Sequence, residues 1–122
     1  MGVTEVVLTL AGAGIGSVLR YWLSGWIGYR MGPGFPWGTL TINLIGSMEL
    51  GFLYGLAPQD KSLIFILSSG IIAGFTTFST FMLETANLTL AEEHDRVLMN
   101  VFGSVILGIL ALFIGFYTGA NI

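Results

Sequence analysis

No cysteine occurs in the 122 residues, which excludes disulfides and thiolate metal sites and leaves redox compartment unreadable. Charge is almost as scarce. Asp, Glu, Lys and Arg make up 9% of the chain, against about 25% in an ordinary soluble domain. Only four Lys and Arg stand against seven Asp and Glu, and the net charge of −3 argues against a nucleic-acid partner. The single histidine, His94, lies in an acidic run. With no metal-ligand cluster, nucleophile constellation or phosphate loop, an enzyme is not expected. No Lys or Arg precedes Arg20, which disfavours a cleaved signal peptide. No internal repeat is visible.

Apolar residues fill the space that charge leaves. They form 54% of the chain, with mean hydropathy +0.86. The composition is that of an integral membrane protein, a single four-helix transmembrane domain over residues 1–122 with no room for a soluble domain beside it. A membrane-crossing helix needs about 20 mostly apolar residues, and four segments qualify: Val6 to Trp26, Trp37 to Leu56, Ser62 to Leu90 and Val97 to Thr118. Tyr21, Trp22 and Trp26 mark an interface at the far end of the first. Gly28 to Pro36, with two prolines and three glycines, reads as a turn. Ala57 to Lys61 and Glu92 to Arg96 read as polar loops. Both termini then fall on one side.

The basic residues barely orient these spans. One face holds Lys61; the other holds Arg30 and Arg96, with Arg20 near the boundary. So slight a bias suggests insertion in both orientations and pairing of the chain with its own inverted copy. Small residues at Gly12, Gly14 and Gly16, at Gly46, Ser47, Gly51 and Gly55, and at Gly103, Ser104, Gly108, Gly115 and Gly119 suit close helix contacts. Four helices enclose little by themselves, so these faces are read as evidence for a homo-oligomer, most simply a dimer.

The third segment is too long for one plain crossing at about 1.5 Å per residue. Its middle, Gly70-Ile71-Ile72-Ala73-Gly74-Phe75-Thr76-Thr77-Phe78-Ser79-Thr80-Phe81, is a poor uninterrupted helix. A break near Gly74 to Thr77 accounts for the excess. Irregular backbone at membrane depth survives only where protein or a water-filled cavity covers it, so the break is a candidate ion site. Phe78 and Phe81 share a helical face beside Ser79 and Thr80. A Phe pair at this spacing is usually packing, but here hydroxyls surround it. Ring edges carry positive potential and hydroxyls donate, which together suit an anion. Carbonyls freed at a break suit Na+.

Other intramembrane polar residues default to functional hypotheses. Asn43 is either an interhelical hydrogen bond or a donor on an anion path. Arg20 either snorkels or draws anions to a vestibule. Glu84 lies three residues beyond Phe81, its bland role being to pair with a donor or a helix end. Glu49, deep in the second span, is a proton-linked site, a water-facing group or a neighbour of a polar cavity. Asn100, Ser104 and Gly108 form one stripe, either a polar track or a helix joint.

At these residues the chain resembles the Fluc family of small dual-topology fluoride channels. The resemblance rests on Gly12 to Tyr21, Gly38 to Ser47 and Gly74 to Phe81, with Glu84 beyond, and spans nearly the whole chain; the Thr-Thr-Phe-Ser-Thr-Phe run is its specific part. It implies an all-α membrane protein with four transmembrane helices per subunit, the third broken, in an antiparallel homodimer. It implies two fluoride pores, a structural Na+ at the dimer centre and a place in the cell (plasma or inner) membrane. The Na+ ligands would be the backbone carbonyls of Ala73 and Thr76. Phe78 and Phe81 would be the pore rings and Asn43 the pore amide. Ser79, Thr80 and Ser104 would lie on the polar track, with Glu84 near it and Arg20 at the vestibule. Departures are Ala73 where the family often has glycine, a fourth span without hydroxyls at Gly108 and Leu112, and Glu49 where an apolar residue is usual. The competing readings are a proton-coupled exporter of the small multidrug resistance type, with Glu49 or Glu84 carrying the proton, and a non-transporting assembly subunit.

Overall fold

The computed structural model describes residues 2–122, which are helical with short connections. Helix α1 (Val3–Met31) runs five residues past the expected end at Trp26. Gly28 does not stop it, because a lone glycine costs a helix only about 1 kcal/mol. It ends at Gly32, whose φ of +90° and whose N–H donated to the Gly28 carbonyl close the last turn. Pro33 then forbids continuation.

Helix α2 (Trp37–Leu56) has the expected bounds. It terminates on the left-handed Ala57, with Pro58 beyond. Asp60 caps the next helix, its carboxylate accepting from the N–H groups of Ser62 (2.9 Å) and Leu63 (3.2 Å). That helix, α3 (residues 61–75), is composite. An α-helical start, Lys61–Ile66, passes into six π-helical residues, Leu67–Ile72, and finishes in one α-turn, Ala73–Phe75. The π segment carries no sequence signal that periodicity detects. The break follows over residues 76–78, displaced slightly from the expected Gly74 to Thr77, because Gly74 stays helical and Thr76 (φ −88°, ψ 162°) is the first extended residue.

Helix α4 (Ser79–Leu90) resumes the span. The expected loop from Glu92 to Arg96 shrinks to residues 91–93, where left-handed Glu92 turns the chain. Helix α5 (His94–Ala120) begins early, with Asp95 in its first turn complementing the helix N-terminus.

Three stretches are long and apolar enough to cross a membrane: Val3–Met31, Lys61–Leu90 and His94–Ala120. At 20 residues α2 is long enough too, but Thr39, Thr41, Asn43, Ser47 and Glu49 dilute its apolarity. The reason is position. Helix α2 is the innermost element, with Gly38, Thr39, Leu40, Ile42, Gly46, Gly51 and Leu53 buried. Large apolar side chains elsewhere point outward, Leu10, Val18, Phe113 and Tyr117 among them, as a lipid-facing surface requires. The chain is a multi-pass membrane protein of four helical spans with the third broken.

Helices α2 and α5 run parallel in close backbone contact. A Cβ on Gly51 would fall on the Leu112 carbonyl, and one on Gly115 on the Met48 carbonyl; Gly55 and Gly119 repeat the arrangement against Phe116 and Phe52. Helix α1 meets α3 likewise, Gly16 lying against the backbone of Ile71 and Phe75. These glycine faces are therefore spent inside the subunit and do not argue for an oligomer. Gly14 and Gly103 have open space where a Cβ would project.

Candidate functional site

A helix that stops at Phe75 and restarts at Ser79 leaves carbonyls without their usual amide partners. Three side chains from other helices meet that need. Asn43 on α2 clasps Thr77 at both ends: its amide nitrogen donates to the Thr77 carbonyl (2.9 Å) and its oxygen accepts from the Thr77 N–H (2.8 Å). Arg20 on α1 donates from Nη1 to the Thr76 carbonyl (3.1 Å). Ser17, one helical turn before Arg20, reaches the Gly74 carbonyl at 3.4 Å while donating chiefly to Ala13 (2.8 Å). The Thr77 hydroxyl accepts from the Thr80 N–H (3.2 Å) and starts α4.

The clasp frees one oxygen in particular. Continued helix would give the Thr77 N–H to the Ala73 carbonyl. Asn43 takes that N–H instead, and the Ala73 carbonyl keeps only a long contact from the Thr76 hydroxyl (3.4 Å). Gly46 lets α2 approach here, since a Cβ would overlap the Thr76 methyl.

An open groove of about 410 Å³ runs past the break, lined by Asn43, Ser47, Ser68, Ala73, Thr76, Thr77 and Phe78 among others. The Phe78 ring is 73% exposed, too open for a packed core residue. It lies 5.9 Å from the half-buried Phe81 ring at a 48° tilt. A second recess, about 550 Å³, opens between the 32–38 connection and α4, and includes Tyr21, Ser24, Thr39, Thr80 and Glu84. In it the Thr39 hydroxyl donates to the Glu84 carboxylate. On α5 the buried Asn100, 1% exposed, donates to the Thr85 hydroxyl (2.9 Å), which donates to the Phe81 carbonyl (2.7 Å). One turn on, the Ser104 hydroxyl oxygen is buried without a partner.

The chain's sequence matches the family model described as "CrcB-like protein, Camphor Resistance (CrcB)" over residues 7–116. The chain belongs to this family. A relative from Rubrobacter xylanophilus, named fluoride-specific ion channel FluC 1, is 57% identical over 120 residues, covering 98% of this chain and 97% of its own. FluC proteins of Thermus thermophilus and Parabacteroides distasonis are 39% and 40% identical, covering 98% and 97% of this chain and 96% and 94% of theirs. These CrcB-like relatives bear the names of channels, not enzymes, and so this chain is placed outside catalysis, as its sequence suggests.

Of the residues singled out from the sequence, Asn43, Ala73, Thr76 and Phe78 meet at one groove, and Thr80 with Glu84 at the other recess. Arg20 turns inward to the break rather than snorkelling. Asn100 joins helices α4 and α5. Glu49 is exposed and lines neither space; it sits in a separate apolar recess with Ile45, Met48 and Phe52. Thr39 and Thr77 are the residues that sequence reasoning left out of the site. Thr39 shares the stripe of Asn43 and Ser47, which is the one signal that pointed to it.

Proposed function

We propose that this chain forms a passive fluoride-selective channel as an antiparallel homodimer in the cell (inner or plasma) membrane, with two pores and a structural Na+ between the copies. The observation that carries the reading is the Phe78–Phe81 pair beside a clasped helix break in a CrcB-like chain. The relatives' channel names supply the ion.

The chemistry of the groove suits a small anion. Ring edges of Phe78 and Phe81 present positive potential, and Ser79, Thr80 and Ser104 supply hydroxyls. Asn43 spends one amide hydrogen on Thr77 and keeps another, since the amide has two. Donors fixed in place replace water around an anion without reorganising. Thr39 ties the Glu84 carboxylate to α2 and so holds a negative group to one side of the path. A phenylalanine as exposed as Phe78 calls for a covering surface, and an inverted second copy provides one. The weak sidedness of Lys61, Arg30 and Arg96 permits that inversion.

The Ala73 and Thr76 carbonyls fit Na+ by donor type: neutral, hard oxygens at a helix break. Ala73 has lost its helical amide, and its alanine side chain asks nothing of the site. One chain offers two such oxygens and a pair of copies four. Bound there, Na+ would supply a fixed positive charge that joins two breaks; Asn43 and Arg20 hold those carbonyls in place from each subunit's own helices.

Purified protein in liposomes tests the reading. Fluoride efflux without a proton gradient, with chloride retained, is expected. Retained fluoride would overturn it, and efflux only under a proton gradient would favour a coupled exporter.

A further inference from the structure

Arg20 presents a feature that neither snorkelling nor anion attraction explains. Its guanidinium donates to the Thr76 carbonyl at 3.1 Å, one of the two oxygens assigned above to Na+. Arg20 is the basic residue that reaches the break among the described residues: Arg30 lies over the Trp26 ring, Arg96 pairs with Glu93 and the Gly34 carbonyl, and Lys61 starts α3. No carboxylate neutralises it there, since Glu84 is bound to Thr39 and Glu49 lies in another recess.

We propose that Arg20 is a tethered competitor for the cation site, holding the Thr76 carbonyl while the subunit is alone and yielding it when Na+ and the second copy arrive. The inference rests on the Na+ reading above. A carbonyl oxygen has two lone pairs, so sharing is not barred by valence. Charge bars it. A Na+ on the same oxygen would lie within roughly 5 Å of the guanidinium, where two positive charges in a low-dielectric site repel strongly. The carbonyl takes one cation or the other.

The exchange has a use at each stage. In the lone subunit the guanidinium satisfies an oxygen that membrane depth cannot leave bare. In the pair, release of Arg20 returns a mobile positive charge to the side of α1 nearest Tyr21 and Ser24, which line the recess holding Thr80. Cation binding at the centre and anion attraction at the mouth are then linked through one side chain.

The test uses full-length protein in detergent, stripped of Na+ in N-methylglucamine chloride and titrated with NaCl. Dimer fraction and melting temperature report Na+ binding. Arg20→Gln is expected to lower the half-saturating Na+ concentration at least tenfold, because the competing charge is gone. In wild-type protein labelled with 15N-arginine, the Arg20 side-chain resonance is expected to shift with the same midpoint as dimer formation. This second readout holds even if Arg20→Gln does not assemble. An unchanged or higher midpoint in Arg20→Gln, or an Arg20 resonance indifferent to saturating Na+, overturns the competition and leaves the Na+ site standing. Wild-type pairing and melting that ignore Na+ altogether remove the cation reading and this proposal together.

Discussion

The side-chain amide of Asn43 replaces, for Thr77, both hydrogen bonds that a continuous helix would have supplied. The break is thus held by a neighbouring helix and not by its own residues. That relationship makes Asn43 the first residue to test. Asn43→Leu orphans a buried-side N–H and carbonyl at about 1–3 kcal/mol each. Melting temperature should fall and fluoride flux drop below a tenth of wild type. Asn43→Asp keeps the acceptor for the Thr77 N–H and loses the donor, so its melting temperature should lie between the two. Equal flux in all three would detach the clasp from conduction.

The rings at the break should matter for passage and little for assembly. Phe78 is mostly exposed within the subunit, so Phe78→Ile removes few internal contacts. We expect fluoride efflux from liposomes to be lost in Phe78→Ile and Phe81→Ile, with the dimer peak on gel filtration unchanged.

Backbone contact between α2 and α5 sets a different sensitivity. Gly51→Val drives a side chain into the Leu112 carbonyl, and such overpacking costs about 1–3 kcal/mol or more. Yield and melting temperature should both fall. Gly14→Ala and Gly103→Ala, where space is open, should leave both within error.

Asn100 anchors α4 to α5 through Thr85. Asn100→Ala leaves the Thr85 hydroxyl without that donor and opens a small void, a loss of about 1–3 kcal/mol. Because Thr85 follows Phe81 by one turn on the same helix, flux should fall as well, and Asn100→Gln should not restore it, since the longer side chain misplaces the amide. Thermal melting and liposome efflux measured side by side check this.

Glu49 supplies the reverse expectation. It lines neither the groove nor the recess that holds Glu84. Glu49→Leu should keep both flux and melting temperature. A strong change in fluoride flux in that variant would bring Glu49 back as a working residue.

Much of this was legible in the chain. Four apolar segments follow from hydropathy, and the break follows from the excess length of the third. Hydroxyls around Phe78 and Phe81 marked the site before any coordinate did. What was not legible is partnership. Nothing in the spacing says that Asn43 meets Thr77 or that Arg20 meets Thr76, because such pairs, 34 and 56 positions apart, are made by packing. The glycines misled for the same reason. Small-residue spacing shows that helices come close and is silent on whether the neighbour belongs to the same chain. The early start of α5 was hidden by charge: Glu93, His94, Asp95 and Arg96 look like a loop and are a helix entrance.

The six π-helical residues before the break carry a last consequence. A π turn holds an extra residue relative to an α turn, and each residue of an α-helix advances the chain by about 100°. The π stretch therefore sets the compass bearing of everything after it. Deleting one residue from Leu67–Ile72 would keep every chemical group of the site and rotate Ala73 and Thr76 away from Asn43 and Arg20. For this chain, residue count in a featureless apolar run is as much a functional parameter as the identity of Phe78.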